Sequence, residues 1–90
     1  MYFVYVLFSL HDHRLYIGFT SDLEKRIEQH NTGQAKSTQK RFPLKLIYYE
    51  AYLTNSEAKQ REKYLKGGNG RSQLKIQLHE TFKQLGYKHL

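Results

Sequence analysis

Two β-prone runs separated by a short polar turn constrain this chain more than any other feature. Tyr2 to Phe8 is an unbroken series of aromatic and β-branched residues plus Leu7, too short for a stable helix and flanked by polar residues, so it reads as a buried central strand. After the turn-like His11-Asp12-His13-Arg14, the segment Leu15 to Thr20 resumes the β-prone pattern. Strands joined so closely pair as an antiparallel hairpin. A doubly wound dinucleotide-binding sheet is thereby excluded, and no G-x-G-x-x-G or P-loop occurs anywhere, so no nucleotide cofactor is expected.

The remaining elements follow from caps and periodicity. Ser21-Asp22-Leu23-Glu24 fits a capping box and opens a helix running to about Asn31, with Asn31-Thr32-Gly33 as a left-handed stop. Gln34 to Arg41 carries Lys36, Lys40 and Arg41 without an apolar period and reads as an exposed loop. Leu44 to Tyr52, after Pro43, is the third strand. Thr54-Asn55-Ser56-Glu57 is a second capping box, whose helix reaches Lys66 before a Gly67-Gly68-Asn69-Gly70 break. A final helix starts near Arg71 or Ser72; Leu74, Leu78, Phe82 and Leu85 form its apolar stripe and Gly86 ends it. The predicted fold is α/β, a three-stranded mostly antiparallel sheet flanked by helices, in the order β-β-α-β-α-α. With 90 residues, near the lower end for a self-sufficient core, residues 1–90 are expected to form a single domain.

Composition narrows the setting. The absence of cysteine removes disulfides and thiolate zinc sites, and nothing argues for export, so a cytoplasmic location is expected. No apolar stretch approaches the roughly 20 residues of a membrane span, and no membrane partner is expected. Fifteen Lys+Arg against eight Asp+Glu give a net charge of +7, which favours polyanionic partners, nucleic acid foremost.

Several side chains then stand out for chemistry. If the hairpin register pairs residues whose numbers sum to an odd value, Tyr5 and Tyr16 share a face, with Gly18 leaving space above the sheet. Arg26 and His30, four residues apart, stack on one side of the first helix at the rim of its Leu23 and Ile27 stripe. An arginine there offers a planar fork to phosphate, and an imidazole one turn away can donate, accept or shuttle a proton. Glu62 falls between Ala58 and Leu65 on the apolar side of the second long helix and so points towards the core, where it requires a metal ion, an ion pair with a base such as Arg61 or Lys66, or a side chain that snorkels to solvent. A lone carboxylate suits magnesium, which keeps most of its water and takes substrate phosphate oxygens. His11 and His13 read as exposed turn residues, and His79 and His89 have no organised partner, so zinc is not expected.

Taken together, Phe3-Val4-Tyr5, Tyr16-Ile17-Gly18, Thr20-x-Asp22-Leu23-x-x-Arg26-x-x-x-His30-Asn31-x-Gly33 and Glu57-Ala58-x-x-Arg61-Glu62-Lys63-x-Leu65-Lys66 form a pattern that resembles the GIY-YIG nucleases over most of the chain. The similarity is greatest to the small single-domain bacterial members. The resemblance implies a catalytic site of Tyr5, Tyr16, Arg26, His30 and Glu62, with Glu62 as the ligand of Mg2+ or Mn2+. It implies a metal-dependent endonuclease hydrolysing phosphodiester bonds, its substrate DNA of particular structure. Lys36, Lys40 and Arg41 are candidates for tracking the phosphate backbone. Two other readings are a non-catalytic nucleic-acid-binding module that keeps the fold, and a protein-interaction domain using exposed tyrosines.

Overall fold

The computed structural model describes residues 1–87. Three strands, β1 (Tyr2–Ser9), β2 (Leu15–Thr20) and β3 (Leu44–Tyr52), and four helices, α1 (Leu23–Asn31), α2 (Asn55–Lys66), α3 (Gly68–Gln77) and α4 (His79–Leu85), follow in the order β1-β2-α1-β3-α2-α3-α4. The sheet is antiparallel throughout in the order β2-β1-β3, which makes the most apolar strand the central one. In the hairpin, Phe3 opposes Thr20 and Tyr5 opposes Gly18, the odd-sum register. Tyr5, Leu7 and Tyr16 accordingly share one face, where Leu44, Leu46 and the Leu23 and Ile27 side chains of α1 pack against them. Val4, Val6 and Ile17 fill the other face against Ala58 and Leu65 of α2 and Leu74 of α3. Among the described residues, no helix is long and apolar enough to cross a membrane.

The register of β3 slips between Val6 and Leu7, so that Val6 opposes Tyr48 while Leu7 opposes Leu46. This bulge inverts the alternation within one strand. Leu46 joins the α1 face, and Tyr48 packs on the α2–α3 face. Beyond the bulge, Glu50 accepts the hydroxyls of Tyr48 at 2.6 Å and Tyr52 at 2.5 Å, and Arg61 of α2 donates to it through Nε at 2.9 Å and Nη2 at 3.0 Å. Arg61 is thereby committed to Glu50, not to Glu62. The fork and the two phenols hold the Glu50 carboxyl below its usual range although burial alone would raise it.

Four local expectations require correction. The N-cap of α1 is Asp22 and not Ser21: Asp22 is extended, with φ −140 and ψ 94, and accepts the Lys25 N–H at 3.2 Å. Thr20 fixes that entry by accepting the Asp22 N–H at 3.1 Å, which leaves Ser21 exposed. The Gly67 to Gly70 stretch is not a loop. Gly67 alone is extended, and α3 begins at Gly68. The reason lies at Gly70, where a Cβ would overlap the Tyr64 carbonyl and the Leu65 Cα, so the backbones of α2 and α3 meet closer than any other residue permits. The final helix is in fact two. Leu78, with φ −106 and ψ 24, ends α3 and starts α4, and the bend lets Leu74 and Phe82 both become fully buried. The 34–41 segment is only partly exposed, since Ala35 and Thr38 are 2% and 0% accessible.

Other signals hold as read. Thr54 caps α2 by accepting the Glu57 N–H at 3.3 Å, with its hydroxyl donating to the Glu57 carboxylate. Gly33 takes φ 78 after α1, where the Gln34 N–H closes back onto the Gln29 carbonyl at 3.0 Å, and Gly86 takes φ 71 after α4.

Candidate active site

The site is built on Tyr5, in the middle of the central strand and 0% exposed. Its ring lies across Gly18: a Cβ at that position would overlap Tyr5 Cζ and Oη and approach Tyr16 Cε2 to 3.0 Å. The space above Gly18 is therefore taken by the Tyr5 phenol and is not left open for a ligand. Tyr16 sits beside it with ring centroids 6.3 Å apart, half-buried where Tyr5 is enclosed.

α1 brings His30 down onto the pair. His30 is completely buried, not at the rim, with its ring 5.7 Å from that of Tyr5 and 5.0 Å from that of Tyr16. Its Nε2 is 2.8 Å from the Tyr5 hydroxyl and its Nδ1 is 2.5 Å from the Thr38 hydroxyl. A neutral imidazole has one donor and one acceptor nitrogen, and two hydroxyls satisfy both. Burial, with the nearby Arg26 cation, pushes the His30 pKa down to about 4, so the ring is neutral at physiological pH. Burial likewise raises the Tyr5 phenol to about 12, with Arg26 opposing and the Tyr16 and Glu62 charges adding to the rise. Tyr5 is thus a neutral hydrogen-bonding group.

Arg26 is half-buried one turn before His30, and its Nη1 donates to Gln29 Oε1 at 3.1 Å. Glu62 does not enter the core. Its side chain is 23% exposed and Oε2 lies 3.0 Å from Nζ of Lys66, the next turn of α2. Among the described residues there is no group of three or more His, Cys, Asp or Glu side chains able to cage an ion. Glu62, a partly exposed carboxylate beside a lysine whose side chain is 51% exposed, could serve as a ligand of a hydrated divalent ion.

Lys36 and Lys40 are exposed on the 34–41 segment. Arg41 is not available to track phosphate. It clasps Asp12 through Nε at 2.5 Å and Nη2 at 3.3 Å and donates to the Leu15 carbonyl at 3.3 Å, pinning the hairpin turn. Burial would raise the Asp12 carboxyl, but the Arg41 fork and the Arg14 N–H bring it down to about 2. His11 and His13 are exposed in that turn and His79 is exposed in α4, while His89 lies outside the described residues.

Two members of the site are not among the residues to which the sequence points. Thr38 completes the buried His30 contacts, and Ser37 donates to the Tyr16 hydroxyl at 3.2 Å. A hydroxyl pair within an otherwise basic segment is the one signal that marks them.

The GIY-YIG catalytic domain family matches the chain over residues 1–75. The chain belongs to the GIY-YIG family. That match spans Tyr5, Tyr16, Arg26, His30 and Glu62. GIY-YIG nucleases act on nucleic acid and are generally dependent on divalent metal. Among curated relatives, a UPF0213 protein of Clostridium perfringens is 39% identical over 89 residues, covering 98% of this chain and 95% of the relative. A UPF0213 protein of Bacillus licheniformis is 47% identical over 66 residues, or 72% and 67% of the two chains. One from Staphylococcus saprophyticus is 41% identical over 76 residues, or 83% and 92%. No solved structure matches the GIY-YIG chain significantly.

Proposed function

We propose that this GIY-YIG domain is a metal-dependent endonuclease that hydrolyses phosphodiester bonds, with DNA of particular structure as its substrate. The observation that carries the reading is the cluster of Tyr5, Tyr16 and His30, with Arg26 of α1 and Glu62 of α2 both bearing electrostatically on the Tyr5 phenol. Family membership and a net charge of +7 support a polyanionic substrate.

Arg26 presents its fork to the scissile phosphate and offsets charge developing on it during attack by water. Glu62 would hold the divalent ion, which when bound would supply polarisation of the phosphate and stabilisation of the leaving oxygen. Tyr16, the more accessible of the two phenols, orients the attacking water. Tyr5 and His30 lie behind it as positioning residues, because both are fully buried and hydrogen-bonded to one another. Thr38 fixes the imidazole from the far side. Lys36 and Lys40 flank the Ser37 and Thr38 hydroxyls and so place phosphate-binding charge beside the site.

Branched, flapped and single-stranded DNA incubated with and without Mg2+ or Mn2+ tests this, with Glu62→Ala and Arg26→Ala as controls. Metal-dependent cleavage lost in both variants is the expected result. Salt-sensitive binding without cleavage of any substrate would instead identify a non-catalytic nucleic-acid-binding module.

A further inference from the structure

A second basic feature lies away from the tyrosine cluster. Asp12, Arg14, Leu15, Arg41, Arg71 and Tyr87 line a pocket of about 580 Å³. Its walls come from the hairpin turn, the segment before β3, the first turn of α3 and the chain just after α4. Of its lining, Leu15 packs with the α2–α3 core, on the sheet face opposite Tyr5 and Tyr16.

Three guanidinium groups face this hollow and one carboxylate answers them. Asp12 is bound to Arg41, and Arg41 also donates to the Leu15 carbonyl. Arg71 uses only Nε, on the Lys66 carbonyl at 3.3 Å, and the Arg14 side chain has no hydrogen bond or ion pair among the described residues. Both are exposed. Among the described residues neither Arg14 nor Arg71 has an anionic partner, and the ligand whose oxygens match two planar forks around one concavity is a phosphoryl anion. The Lys66 carbonyl that holds Arg71 is one helical turn beyond Glu62, so the pocket lies just past the carboxylate end of the candidate site.

We propose that this pocket is a phosphoryl-binding site separate from the tyrosine cluster, in which Arg14 and Arg71 clamp a phosphate of a bound nucleic-acid strand outside the point of cleavage. Its nucleic-acid ligand rests on the function proposed above; its phosphoryl chemistry does not.

Inorganic pyrophosphate titrated into the full chain, followed by 15N–1H spectra that include the arginine Nε–H signals, tests the pocket itself. Saturable shifts at Arg14, Leu15 and Arg71, absent in Arg14→Ala/Arg71→Ala, are expected. Binding of duplex DNA measured against salt in EDTA tests the source of the phosphate. Loss of two contacts lowers the log–log salt slope by roughly 1.8. Pyrophosphate shifts with an unchanged DNA slope support the site with free phosphate as its ligand. No shift at Arg14 or Arg71 with either ligand overturns it. Arg14→Ala alone, at an exposed side chain without partners, keeps the test valid if the double variant fails to fold. Loss of the proposed cleavage in every assay would leave the pyrophosphate titration standing, so the two readings fail separately.

Discussion

Tyr5 occupies the volume that any side chain at position 18 would need, and this makes Gly18 a packing residue of the candidate site. Gly18→Ala is expected to destabilise the protein by about 1–3 kcal/mol in urea unfolding, because the added methyl displaces the phenol from His30. Cleavage should fall with it while the far-ultraviolet dichroism stays native. His30 makes a different prediction. Its pKa is about 4 in the folded chain against 6.5 ordinarily, so between those values the unfolded chain binds the extra proton. Stability from this group is complete above pH 6.5 and is lost as pH falls to about 4. At roughly 1.4 kcal/mol per pH unit, that amounts to about 3 kcal/mol. Asp12, with its carboxyl at about 2, is lost in a separate, lower window. Unfolding free energy measured from pH 7 to pH 4 should therefore slope downward, and His30→Gln should flatten the slope. An unchanged slope in the variant would place the acid sensitivity elsewhere.

At the scale of elements, caps and close approaches decide where helices begin. A carboxylate accepting the Lys25 N–H caps α1, so Asp22→Ala is expected to cost about 1 kcal/mol, whereas Ser21→Ala should leave the melting temperature unchanged. Equal effects in thermal melts would restore Ser21 as the cap. α3 illustrates tertiary override of local preference: Gly68-Asn69-Gly70 is a poor helix-forming run, yet it is helical because Gly70 alone allows the approach to Tyr64 and Leu65. The β3 bulge acts in the same way on a strand, re-aiming Leu46 to one face and Tyr48, Glu50 and Tyr52 to the other.

For the molecule as a whole, the fold rests on two apolar layers and on the Glu50 network, with Glu62 outside the core. Metal removal should consequently leave folding intact. EDTA is expected to abolish cleavage without moving the melting temperature, unlike a structural metal domain, whose folding is coupled to its ion. A large shift on chelation would mean that Glu62 holds a structural ion.

Much of this was legible beforehand. Strand limits, the central place of β1, the Thr54 cap and the Gly86 stop all follow from patterns repeating within a few residues, where propensity and hydrogen-bond geometry act locally; the odd-sum register that sets Tyr5 and Tyr16 on one face was a condition that only the folded hairpin fixed. The family motif depends on the same short spacings. Contacts between distant residues were not legible: Thr38 against His30, Arg41 on Asp12, Arg61 on Glu50 rather than Glu62, and Arg14 with Arg71 around one pocket. Periodicity sets which face of an element a residue occupies; which distant side chain meets it there is decided only when the helices close over the sheet and buried polar groups must find partners.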